Sequence, residues 1–169
     1  MQCKIGIIGN GYWGKLILSK LDPKAVSFIS SNPSEYYSRL NEVNWVVVAS
    51  PEATHFNIVE KVLSLGKNVF CEKPLALTSI EYDILYDLAD KNNCYLYVDD
   101  VFNYSARSFE FNSINYVKWF KSSHRRKAHI NELIFRLAYH DIYLLYPHLN
   151  DKGLLSLRNE SSDKVLKWT

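Results

Sequence analysis

Cysteine is scarce in this chain of 169 residues: Cys3, Cys71 and Cys94 are an odd number with no close spacing. Such a set builds neither a disulfide framework nor a zinc site, and it fits a reducing compartment, the cytoplasm. Long apolar runs are missing too. The longest, Trp45-Val46-Val47-Val48-Ala49, falls far short of a membrane span, which needs ~20 residues. Met1-Gln2-Cys3-Lys4 leads straight into a strand-like segment, so no secretory leader is expected. There is no internal repeat and no low-complexity tract. With 47% apolar and 22% charged residues, disorder, collagen and coiled coil are excluded. A chain of this length forms one domain, or one and part of another, and buries roughly 70% of its unfolded surface.

The net charge of +2 is small but unevenly spread. Residues 1–100 carry nine Lys and Arg against twelve Asp and Glu, whereas residues 101–169 carry eleven against six. Much of the excess lies between Lys118 and His129. Such a stretch suits an anionic small molecule, a nucleic acid or a solvated loop. It contains no recognisable nucleic-acid module, so no nucleic-acid partner is expected.

The first hundred residues alternate β-type and helical runs. Lys4–Ile8, Val26–Ser30, Asn44–Ala49, Asn68–Cys71 and Tyr95–Val98 read as strands, the third nearly all apolar, as a strand covered on both faces must be. Between them, Trp13, Leu16, Ile17 and Leu21 follow helical spacing, and Pro33 and Ser34 open a short helix through Leu40. Ile58, Val59, Val62 and Leu63 form the stripe of a helix that Gly66 ends. Thr78 opens a fourth helix, with Ile80, Ile84, Leu85, Leu88 and Ala89 expected inward. This alternation predicts an α/β fold, a Rossmann-type doubly wound parallel sheet with right-handed crossovers. After Asp100 the rhythm changes. Asn115–Phe120, Leu154–Leu157 and Lys164–Trp168 read as strands and Ile130–Leu149 as a helix, a short α+β second part. We place the domains at 1–103 and 104–169.

Gly9-Asn10-Gly11-Tyr12-Trp13-Gly14 is a G-x-G-x-x-G between a strand and a helix, the context that gives the motif meaning. Gly9 allows the tight turn, Gly11 lets backbone approach a pyrophosphate, and Gly14 lets helix and strand pack closely. Dinucleotide binding is therefore expected at residues 9–14. The second strand ends in Ser30-Ser31-Asn32, with no carboxylate until Glu35 and no arginine. Ser31 and Asn32 can bind a ribose without repelling a 2′-phosphate, which leaves NAD and NADP both open.

The glycine turn, together with Ala49-Ser50-Pro51-Glu52-Ala53-Thr54-His55 and Cys71-Glu72-Lys73-Pro74-Leu75-Ala76-Leu77-Thr78, resembles the Gfo/Idh/MocA family, the glucose–fructose oxidoreductase and inositol dehydrogenase relatives. Val98–Tyr104 and Leu137–Ile142 look like its branch that acts on nucleotide-linked amino sugars. The resemblance implies hydride transfer between a sugar or polyol carbon and NAD or NADP. It implies that Lys73 is the catalytic or substrate-orienting lysine and His140 the second catalytic group. It also implies cofactor contacts from Ser50, Pro51, His55, Glu72 and Lys73, beside Gly9–Gly14. No metal is implied.

Three positions depart from the family. Arg136 stands where a relay aspartate is usual, four residues before His140. Arginine stays protonated, so it cannot act as a base, though it can grip a phosphate or pair with Asp141. Asp100 stands where the branch often has histidine, and Tyr139 where it has proline. The second part is also much shorter than the family's antiparallel substrate and dimer sheet. So few strands leave open edges. With Trp119, Phe120, Tyr143, Leu144 and Tyr146 they suggest a homo-oligomer. A dinucleotide-binding module without turnover, acting as a subunit or sensor, is the competing reading.

Overall fold

Five short runs rich in β-branched residues make one parallel sheet in the computed structural model, which describes residues 3–100, 119–120 and 167–168. The order along the chain is β1 (Ile5–Ile8), α1 (Tyr12–Leu18), β2 (Val26–Ser30), α2 (Pro33–Arg39), β3 (Trp45–Val48), α3 (His55–Ser64), β4 (Asn68–Cys71), α4 (Ser79–Lys91) and β5 (Leu96–Val98). The strands lie in the order β2-β1-β3-β4-β5. Ile8 faces Ser30 on one side and Val48 on the other, and Val48 faces Cys71. This is the expected Rossmann fold. The chain divides into two compact units, Met1–Asp99 and Asp100–Thr169. In the second, β6 (Trp119–Phe120) and β7 (Lys167–Trp168) pair antiparallel.

Strand alternation separates the two faces of the sheet. Ile8, Val46, Val48, Val69 and Cys71 join Tyr36 of α2, Ile58, Val59, Val62 and Leu63 of α3, and Leu85 and Ala89 of α4 in one buried core. Ile7 and Val47 are buried on the opposite face, where α1 meets the sheet through Gly14 beside Ile7. With right-handed crossovers, α1 is the one helix among the described residues on that face, because β2 was added to one side of β1 and β3 to the other. The direction of winding therefore switches between β1 and β3, where such sheets bind their ligands.

Local signals set the helix ends. Thr78 and Glu81 form a reciprocal capping box on α4. At the end of α3, Gly66 takes φ +69°, and the N–H groups of Gly66 and Lys67 return to the carbonyls of Leu63 and Val62, a Schellman arrangement.

Two inward stripes differ from expectation. Helix α1 stops at Leu18, because Lys20 and Leu21 bond back three residues and tighten the chain into a turn. Its Trp13 and Leu16 are exposed, since the face toward the sheet runs through Gly14, Ile17 and Leu18. A glycine at the centre of the stripe hides it from an apolar count. In α4, Leu85 and Ala89 are buried but Ile80 and Ile84 are exposed. Tyr82 anchors this helix by accepting the Leu75 N–H at 3.2 Å, and the buried face follows Tyr82. The predicted helix at 130–149 and strand at 154–157 lie outside the described residues. No helix among the described residues is long and apolar enough to cross a membrane.

The packing predicts three unlike responses, measurable as urea unfolding midpoints. A methyl group on Gly14 would collide with the Gly9 carbonyl oxygen, so Gly14→Ala should cost about 3 kcal/mol or more. One on Gly11 meets nothing within 4 Å, and Gly11→Ala, a helix-cap change, should cost about 1 kcal/mol or less. Leu85, fully buried in the core that α3 and α4 share, should cost ~2–5 kcal/mol when cut to alanine. Equal midpoints for the two glycine variants would contradict the close approach of α1.

Candidate functional site

Each parallel strand delivers a loop to the same edge, and the backbone ladder runs one step past the strand ends. Gly9 N–H donates to Ser30 O, Ala49 N–H to Ile8 O, Glu72 N–H to Val48 O and Asp99 N–H to Cys71 O, all at 2.8 Å. The four loops are therefore held in register by main chain alone.

Gly9 has φ +116°, a region closed to most side chains. A Cβ there would strike the backbone of Ala49, so the turn of β1 is pressed against that of β3. Gly14 is pressed in turn against Gly9. Between them Gly11 faces open space and begins α1 with no side-chain cap and no acidic residue in the first turn. The first N–H groups of a helix lack intrahelical acceptors. A bare glycine start against open space is thus a cradle for an anionic group, and it fits a dinucleotide pyrophosphate. Tyr12 and Trp13 flank it, both exposed and packed edge to face at 5.3 Å.

At the end of β2, Asn10 N–H donates to Ser31 Oγ at 2.7 Å, joining the glycine turn to the neighbouring strand. Asn32 caps α2 by accepting from Ser34 N–H at 3.1 Å. Glu35 turns back from α2 and accepts from the Ser30 hydroxyl at 2.6 Å.

The loop after β3 is built around His55, which is 1% exposed. Its Nδ1 lies 2.7 Å from Pro74 O and its Nε2 2.8 Å from Ser50 O. Both ring nitrogens are taken by backbone carbonyls. The ring of His55, a residue expected from the sequence at the cofactor site, ties the Ser50-Pro51 loop to the Lys73-Pro74 loop and positions both. Ser50 and Thr54 hydroxyls lie 2.8 Å apart in the same loop.

Glu72 and Lys73 follow β4, and the Lys73–Pro74 peptide is cis. Cys71 pairs with Val98 in the β4–β5 register, so Glu72 and Asp99 leave adjacent strand ends side by side. Glu72 is buried and hydrogen-bonded to Asp99. Burial lifts the Glu72 carboxyl to about 7, and the Asp99 charge and hydrogen bond add to the rise while Lys73 opposes it. Burial also raises Asp99, against its Glu72 hydrogen bond and the Lys73 charge. Two hydrogen-bonded carboxyl groups share one proton, so below about pH 7 the pair presents a single negative charge beside Lys73. Burial pushes the Cys71 thiol well up, which leaves it no nucleophile.

The structure brings Gly9, Asn10, Gly11, Tyr12, Trp13, Gly14, Ser31, Asn32, Ser50, Pro51, Glu72 and Lys73 to the carboxyl edge of one sheet, on the loops that follow β1, β2, β3 and β4. His140 and Arg136 lie outside the described residues. Two groups escaped the sequence reading. Asp99 needed the β4–β5 register, and Glu35 needed the first turn of α2, to show where they go. Among the described residues no cluster of His, Cys, Asp and Glu could hold a metal.

The Gfo/Idh/MocA family, an oxidoreductase family with an NAD-binding Rossmann fold, matches residues 24–100. An uncharacterized oxidoreductase from Streptococcus pneumoniae serotype 4 is 28% identical over 135 residues, 68% of this chain and 35% of that protein. A 2,7-anhydro-N-acetylneuraminate hydratase from Mediterraneibacter gnavus is 28% identical over 132 residues, 66% of this chain and 33% of that one. Among solved structures, GenD2 from gentamicin A biosynthesis in complex with NAD superposes with a TM-score of 0.53 at 25% identity, covering 62% of this chain and 36% of GenD2. The chain spans about a third of the length of these curated relatives. Over residues 24–100 the chain is similar to the Gfo/Idh/MocA oxidoreductases, and its parallel sheet is a Rossmann fold of the kind that binds NAD.

Proposed function

We propose that this chain is an oxidoreductase that transfers a hydride between NAD or NADP and a hydroxyl-bearing carbon of a sugar or nucleotide sugar, in the cytoplasm. The observation that carries the reading is the glycine turn, two residues locked backbone to backbone around Gly11, which faces open space. Relatives named for anhydro-sialic acid hydration and for gentamicin biosynthesis support a sugar-class substrate. Residues 104–169 are read as a reduced form of the family's substrate and dimerisation domain, and the apolar residues Trp119, Phe120, Tyr143, Leu144 and Tyr146 of that stretch as contributors to a homo-oligomer.

A bound dinucleotide supplies the hydride donor or acceptor. The chain supplies the rest. Backbone N–H groups of residues 9–14 hold the pyrophosphate, with Ser31 and Asn32 toward the ribose and Ser50 and Pro51 lining the path between β1 and β3. Lys73 orients the reacting hydroxyl and stabilises charge on its oxygen. His140 is the second candidate for proton transfer. Glu72 and Asp99 keep one proton and one charge beside Lys73. The second reading, a binding module without turnover, draws on Arg136, a permanently charged guanidinium that cannot act as a base, four residues before His140 in the sequence.

Replacing Gly11 with leucine should abolish quenching or enhancement of nicotinamide fluorescence on titration with NADH and NADPH while the fold survives by circular dichroism. Unchanged affinity would refute the pyrophosphate assignment. Turnover is tested by following nicotinamide absorbance with a panel of nucleotide sugars and polyols. Activity that disappears in Lys73→Ala supports the enzyme, whereas dinucleotide binding without turnover on any substrate supports the module.

The carboxyl pair predicts a pH dependence. Glu72 titrates at about 7 in the fold against 4.5 as a free side chain. Between those values the folded chain binds more protons than the unfolded one, so stability falls as pH rises. The full loss is about 3 kcal/mol, complete above pH 7. Thermal unfolding midpoints recorded from pH 5 to 8 should fall in the wild type and flatten in Glu72→Gln.

A further inference from the structure

The end of β2 is where Rossmann folds hold the adenosine ribose, and in this chain the strand itself ends in the neutral residues Ser30, Ser31 and Asn32. The structure returns a carboxylate to that place by another route. Asn32 caps α2 and Pro33 begins it, so Glu35 falls in the first turn and folds back over the strand end. The Ser30 hydroxyl donates to Glu35 Oε2 at 2.6 Å and accepts from Asn32 N–H at 3.0 Å. Ser30 is 4% exposed, and its carbonyl accepts from Gly9 N–H at 2.8 Å, the first glycine of the turn. The adjacent Ser31 hydroxyl accepts from Asn10 N–H. Glu35, its serine anchor and the glycine turn are thus joined by consecutive hydrogen bonds.

The carboxylate is fixed at one oxygen and open at the other. Glu35 is exposed, and its Oε1 accepts from no group among the described residues. Arg39, the only arginine among the described residues, is committed elsewhere. It forms a two-pronged pair with Glu42 at 2.9 and 2.8 Å, donates to Ser27 O at 2.8 Å, and lies 5.0 Å over the Phe28 ring. Its hydrogen bonds go to Glu42 and Ser27, and its charge acts on Glu35 only through space, one turn away.

We propose that Glu35 reads the adenosine ribose of the cofactor, accepting from its hydroxyls and repelling a 2′-phosphate, so that the chain selects NAD over NADP. A carboxylate held at one oxygen by Ser30 offers the other to a vicinal diol as a charge-assisted acceptor. A phosphate in the same place would set two like charges together, while the nearby Arg39 guanidinium is already paired with Glu42. This inference rests on the dinucleotide reading above and adds its specificity.

The test is a fluorescence titration of the full chain with NADH and with NADPH, at one fixed salt concentration. The wild type should bind NADH at least ~10-fold more tightly. Glu35→Gln, which keeps the shape and removes the charge, should bring the two affinities to within about threefold, and Ser30→Ala should move the ratio the same way by releasing the carboxylate. If Glu35 served only to steady α2, Glu35→Gln would lower the thermal midpoint and leave the ratio unchanged, which overturns the proposal. Equal binding of both nucleotides by the wild type, or a preference for NADPH, overturns it without touching the dinucleotide reading. Binding of neither overturns both.

Discussion

The contact of Gly14 with the Gly9 carbonyl is the constraint on which the rest of the structure depends. Any side chain at position 14 would push α1 away from β1, and any at position 9 would push the β1 turn away from β3. Because both are glycine, helix and strand meet backbone to backbone, and the start of α1 is left bare at the point where the sheet reverses its winding. The same contact explains why α1 shows its bulky residues to solvent. Its approach to the sheet is made by its smallest residue, and Trp13 and Leu16 are turned aside.

The carboxyl edge is held by main chain before any side chain contributes. Four backbone hydrogen bonds of 2.8 Å carry the ladder into the loops. Buried His55 then ties two of those loops together through the Ser50 and Pro74 carbonyls. Polar groups so placed are expensive to leave unpaired, and among the described residues no buried side-chain nitrogen or oxygen lacks a partner. Loop geometry at such a site is set by satisfaction of buried polar groups as much as by apolar packing. Against this frame stand charged residues, among them Lys73 beside the Glu72–Asp99 pair and Glu35 on the far side of the glycine turn.

Much of the fold was legible in the sequence because its signals are local. Apolar runs of four or five residues mark the strands, Gly66 and Thr78 mark helix ends, and the spacing of Gly9, Gly11 and Gly14 marks the dinucleotide turn. The resemblance of the Glu72-Lys73-Pro74 segment to the Gfo/Idh/MocA family added the lineage, which the match over residues 24–100 bears out. Less legible were the buried faces of α1 and α4. Counting apolar residues predicts Trp13, Leu16, Ile80 and Ile84 inside, yet the inward direction follows Gly14 in one helix and Tyr82 in the other.

By itself the sequence determined the strand and helix order, the glycine turn and the presence of a lysine after the fourth strand, since each depends on residues within a few positions of one another. Only the tertiary structure decided which distant groups share a place. Glu72 and Asp99 are 27 positions apart and meet because β4 and β5 pair in one register. His55 spends both nitrogens on loops that follow different strands. Glu35 reaches the end of β2 because α2 folds back over it. Register, crossover direction and the hydrogen bonds they allow are properties of the assembled sheet, and no single segment carries them.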